Sequence, residues 1–109
     1  MKQQSLEQVG YTLLNAEEKH TANPSTFKIP SKNQRESFQV GDRVQLMFEG
    51  LRVERMWVEV VDAVDGGSYF GELRNHPIFV TGVSYGDLIR FGPEHIIKYI
   101  DTNGVPSVN

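Results

Sequence analysis

The sequence predicts an α+β, β-dominant domain: a small twisted antiparallel sheet or SH3-like half-barrel of about five strands, with short N-terminal helices. Three observations carry this. Glu54 to Phe70, ERMWVEVVDAVDGGSYF, reads as two alternating runs closed by a tight turn. Its flanks, GDRVQLMFE before it and YGDLIRFGPEHIIKYI after it, contain further alternating runs. Helical spacing and capping patterns are confined to the first forty residues. At 109 residues the chain supports one domain with one modest core. The expected organisation is a helical and extended arm over 15–40 and a β core over 41–100, with mobile ends at 1–4 and 101–109.

From Ser5 to Leu14 the apolar residues Leu6, Val9, Leu13 and Leu14 fall at helical spacing, with Ser5 and Gln8 placed as a capping box. Gly10 favours a break there. Asn15 and Glu18 repeat the capping pattern, so a short helix through His20 is the stronger expectation, stopped by Asn23-Pro24. Phe27 and Ile29 alternate in an extended arm that ends at Pro30. Ser31 and Gln34 then cap a short polar helix in SKNQRESF, expected to be anchored by Phe38 and Val40 before Gly41-Asp42 turns the chain.

Val44, Leu46 and Phe48 alternate with Gln45, Met47 and Glu49, the pattern of a half-buried strand. In the next strand Met56, Val58 and Val60 share one face and Trp57, Glu59, Val61 and Ala63 the other. Apolar residues on both faces make this strand central. Asp65-Gly66-Gly67 supplies the positive φ of a primed turn. On the return strand Tyr69, Gly71 and Leu73 alternate with Phe70 and Glu72, and Gly71 marks a bulge or a close backbone approach. Asn75-His76-Pro77 breaks the chain. The apolar piece Ile78–Val80 is a candidate edge strand, able to pair across a two-fold axis. A turn near Gly82–Gly86, a strand over Asp87–Phe91, and a short turn or helical turn starting at Gly92-Pro93 lead into the apolar run from His95 to Ile100.

The segments NAEEKHTANPSTFKIPS, GDRVQLMFE, ERMWVEV, GGSYFGEL and YGDLIRFGPEHII together resemble a bacterial family of small proteins carried as a domain of unknown function. The resemblance spans Asn15 to Ile100. Some relatives of that family lie near toxin–immunity loci, so it implies a protein-binding, immunity-type or regulatory role. It assigns no catalytic residue.

Composition narrows the function classes. The net charge of −3 argues against tight non-specific binding to nucleic acid and suits a basic protein partner. No Cys is present, so a disulfide framework and thiolate metal sites are excluded. The first residues lack a signal-peptide core, and no apolar run reaches the about 20 residues that span a bilayer. The expectation is a soluble cytoplasmic protein.

No residue pattern carries a reaction by itself. His20, His76 and His95 lack metal-ligand spacing, so no metal or other cofactor is implied. Ser68 and Ser84 are turn serines outside any nucleophile elbow. Glu54, Glu59, Asp62 and Glu72 are solvated strand carboxylates unless two of them converge. The candidate binding residues are Arg55 and Trp57, which share one strand face as i and i+2, with Tyr69 opposite if the register allows. Asn75, His76, Glu94 and His95 join them as polar residues at strand ends. The leading expectation is a non-catalytic protein-binding module. The alternative is a nucleic-acid or nucleotide binder that stacks bases on Trp57 and Tyr69, and an enzyme using His76 or His95 ranks third.

Overall fold

The computed structural model describes residues 10–64 and 67–100. The expectations for Ser5 to Val9, for Asp65 and Gly66, and for the C-terminal tail lie outside them. Strands β1 (Thr12–Leu13), β2 (Arg43–Glu49), β3 (Val53–Val64), β4 (Ser68–Leu73), β5 (Leu88–Phe91) and β6 (Ile96–Ile100) form one antiparallel sheet. β2 to β5 are a meander. A 3₁₀ turn, Pro93–His95, then returns the chain so that β6 pairs with β2. β6 takes the Arg43–Leu46 end of that β2 edge, and β1 takes Phe48 and Glu49. The last long strand thus pairs with the first, which curls the sheet into the SH3-like half-barrel that the alternation predicts.

The curl has local causes. β3 runs for 12 residues and is bulged between Val60 and Asp62, which bends and twists it. Opposite the bulge is Gly71, where a Cβ would stand 2.2 Å from Val58 Cγ1 and 2.9 Å from the Glu59 carbonyl oxygen. Bulge and close approach therefore occur together. β3 lies between β2 and β4, central as its two apolar faces predict.

The concave face holds the main core. Val44, Leu46 and Phe48 of β2 pack with Met56, Val58 and Val60 of β3, and Tyr69, Leu73, Ile89, Phe91 and Ile96 complete it from the other strands. Each such side chain stabilises the fold by roughly 1.5–3 kcal/mol. A second, smaller cluster sits on the opposite face of β2. There Ala16, Met47 and Ile97 pack with Leu14, Phe27 and Ile29, so β2 is buried on both faces at this end rather than half-buried throughout.

Both short helices begin at their predicted caps. In α1 (Ala16–Ala22) the Glu18 N–H donates to Asn15 Oδ1 at 3.0 Å. In α2 (Lys32–Arg35) the Gln34 N–H donates to Ser31 Oγ at 3.2 Å. Three expectations are corrected. Leu13 and Leu14 do not continue a helix, because Gly10, at φ 76°, breaks the chain, Thr12–Leu13 joins the sheet and the Leu14 N–H bonds to the Met47 carbonyl. Val40 does not anchor α2 and is 65% exposed, because a turn in which the Gln39 N–H donates to Asp42 Oδ2 reverses the chain after buried Phe38. Ile78–Val80 is not an edge strand, since its three N–H groups donate to the Glu54 carboxylate at 2.8–3.1 Å. Among the described residues no helix is long and apolar enough to cross a membrane.

Candidate functional site

The convex face of β3 carries Arg55, Trp57 and Glu59, paired across the sheet with Met47, Gln45 and Arg43. Arg55 is exposed and Trp57 half-buried. The Trp57 backbone is held on its β4 side twice: its N–H donates to Asn75 Oδ1, and its carbonyl accepts the Arg74 N–H at 2.8 Å. Asn75 therefore extends the β3–β4 ladder with a side-chain oxygen where the strand itself has ended. Beyond Trp57 the face is charge-compensated. Glu59 and Glu72 are direct cross-strand neighbours, a repulsive pairing. The Arg74 guanidinium bridges them at 3.6 and 3.2 Å, and Arg43 approaches Glu59 at 3.4 Å. His76 stacks on Tyr85, with ring centroids 4.8 Å apart, and Arg74 reaches the same Tyr85 ring. Trp57 and Asn75 are thus joined directly, and His76 is held by Tyr85.

On the other side of Arg55 a cleft opens between the convex face and the segment that follows α1. One cavity of about 210 Å³ is lined by Ser25, Thr26, Phe27, Lys28, Arg55, Ile97 and Lys98. A second, of about 290 Å³ and more apolar, is lined by Leu14, Lys19, Asn23, Phe27, Met47, Val53 and Arg55. The two share Phe27 and Arg55. Their outer wall is a hydrogen-bonded turn: the Phe27 N–H donates to the Asn23 carbonyl at 2.8 Å, and His20 Nδ1 donates to the Phe27 carbonyl at 2.7 Å. Among the described residues Arg55 and Lys98 make no ion pair.

The remaining candidates lie elsewhere. Tyr69 pairs with Ala63 rather than facing Trp57. It is 2% exposed, stacks on Phe91, and donates from its hydroxyl to the Arg35 carbonyl at 2.8 Å. Burial, ahead of the Coulombic effect of Glu36 and Asp42, raises its phenol above the ordinary value although the Phe38 N–H bond works the other way. Glu94 and His95 belong to the 3₁₀ turn and line a separate cavity of about 400 Å³ with Gly67, Ser68 and Arg90. The Gly92 N–H donates to His95 Nδ1 at 3.0 Å, and Glu94 lies 3.8 Å from Nε2. Burial works to raise the Glu54 carboxyl, but the N–H donors of Ile78, Phe79 and Val80 outweigh it and hold the group below its ordinary value. Among the described residues no group of three His, Asp or Glu stands close enough to hold a metal ion.

Sequence spacing identifies the Arg55–Trp57 face and misses the cleft beside it. Lys19, Lys28 and Lys98 come from three separate elements, and nothing local to any of them signals a shared place. The chain matches no family model, no curated protein and no solved structure, so the family resemblance rests on its sequence segments.

Proposed function

We propose that this chain is a non-catalytic protein-binding module whose contact surface is the convex face around Arg55 and Trp57. The observation that carries this reading is an exposed arginine and a half-buried tryptophan on one strand face, the arginine without an ion pair among the described residues. Trp and Arg dominate binding hot spots because they combine a large contact area with a directional polar group. The neighbouring Arg43–Glu59–Arg74–Glu72 network satisfies its own charges and forms a polar rim. An immunity-type or regulatory role is the form of this reading that the family resemblance implies. The base-stacking alternative loses half its platform with Tyr69 in the core. The third reading, an enzyme using His76 or His95 with a nearby carboxylate, has Glu94 3.8 Å from His95 Nε2, in a cavity that neither Arg55 nor Trp57 lines.

The test is affinity capture from a lysate of the source organism with wild type, Trp57→Ala and Arg55→Ala, each first shown to fold by circular dichroism. A single protein retained by wild type and reduced at least about tenfold by either variant is expected. Nucleic acid in place of protein in the wild-type eluate would replace this reading with base stacking.

A further inference from the structure

We infer that the cleft beside Arg55 is a recognition site for an acidic residue two positions from a large apolar one, on the same face of an extended segment of the partner protein. This rests on the binding-module reading above. The first ground is charge. The chain has 14 Asp and Glu against 11 Lys and Arg, yet the cavity linings contain no carboxylate and carry Arg55 and Lys98, neither in an ion pair among the described residues, with Lys19 and Lys28 also in the lining. A negative molecule thus presents a locally positive recess, and it is the local field that a docking group meets. Over the whole molecule the net charge favours a basic partner, whereas this recess selects the opposite sign.

The second ground is shape and chemistry. The polar cavity has Arg55, whose planar guanidinium matches a carboxylate in two parallel hydrogen bonds, flanked by Lys28, Lys98 and the Ser25 and Thr26 side chains. The adjoining cavity offers Leu14, Phe27, Met47 and Val53. The two recesses, of about 210 and 290 Å³, differ in character, the first polar and the second apolar. Two small cavities that meet at Phe27 and Arg55 fit two side chains on one face of an extended segment, at i and i+2, one anionic and one apolar. The third ground is pre-organisation. The wall is pinned by hydrogen bonds from Phe27 to Asn23 and from His20 to Phe27, and its inner side is the buried Ala16–Met47–Ile97 cluster. An occupant therefore meets a formed site and does not have to order it.

The experiment is selection of a random-peptide phage library on the wild-type protein, with the best peptide then synthesised and titrated. Enriched sequences are expected to pair Asp or Glu with Leu, Ile, Met or Phe two positions away. The peptide should shift the backbone amide resonances of Phe27, Val53, Arg55 and Lys98, and Arg55→Glu with Lys98→Glu should weaken it at least tenfold without changing Tm. Val53→Ser tests the apolar half and should weaken it several-fold. Enrichment of basic sequences, no enrichment, or an affinity indifferent to the charge reversals would overturn the assignment. So would displacement of the peptide by a short single-stranded oligonucleotide, which would mark a phosphate site. If the charge reversals change nothing while Trp57→Ala still abolishes capture of the protein partner, the cleft assignment fails and the binding-module reading survives. If Trp57→Ala and Arg55→Ala both leave capture intact, the convex face itself is wrong.

Discussion

At His95 the hydrogen-bond geometry and the electrostatics agree on one protonation state. Nδ1 accepts the Gly92 N–H, which requires that nitrogen to be unprotonated. Burial lowers the ring below its ordinary value of 6.5, against the opposing pull of Glu94 and Glu17. Below about pH 6.5 the unfolded chain therefore binds a proton that the folded one resists, so stability rises with pH in that window. The contribution of His95 is complete above the unfolded value and is lost as pH falls through the lowered folded value. His95→Asn keeps an acceptor for Gly92 and removes the titration. Its fall in Tm between about pH 7 and pH 5 should be shallower than that of wild type, and identical slopes would remove His95 as the cause. Other single residues were readable beforehand. Asn15 and Ser31 cap where expected because a cap is a contact three residues long. Tyr69 was not, since only the β3 bulge and the aromatic neighbours Phe38 and Phe91 show that it faces the core.

Among the elements, the β3–β4 hairpin is the most constrained by its own residues. Alternation on both sides of a glycine-containing turn set its strands, and Gly71 marked the place where they approach most closely. Gly71→Ala would drive a methyl group into Val58 and the Glu59 carbonyl, and one of these contacts is backbone that cannot swing aside. The variant should lose about 1–3 kcal/mol, seen as a lower urea midpoint; an unchanged midpoint would mean the bulge relaxes freely. The segment 78–80 shows the opposite case. Its apolar residues suggest a strand, but a single carboxylate from β3 takes its three N–H groups, and Ile78 is left 79% exposed. Nothing within that segment signals the partner that arrests it.

For the whole molecule, β2 and β6 each belong to both apolar clusters, with Leu46 and Ile96 in the main core and Met47 and Ile97 in the second. The face that α1 and the arm cover therefore cannot be lost independently of the strands that carry the main core. Leu46→Ala and Met47→Ala should each destabilise by about 2–5 kcal/mol, with fluorescence of the lone Trp57 and far-ultraviolet circular dichroism giving one coincident transition in each. A separate early transition in Met47→Ala alone would show instead that the arm is an independent unit. The candidate site follows the same division of scale. Arg55 and Trp57 are two residues apart on one strand, so strand geometry alone places them together. The cleft needs α1, the arm, β3 and β6 in their final positions before its cations become neighbours.

Local pattern determined the sheet-dominated class, the order and type of most elements, both helix caps, the tight hairpin and the shared face of Arg55 and Trp57. Each of these depends on residues a few positions apart, where the periods of helix and strand and the short reach of a cap leave few alternatives. Tertiary structure decided the return of β6 to β2, the second core under α1, the burial of Tyr69, the capture of 78–80 by Glu54 and the gathering of Lys19, Lys28, Arg55 and Lys98 around one recess. These are contacts between distant parts of the chain, set by packing of the whole sheet, and no local period in the sequence encodes them.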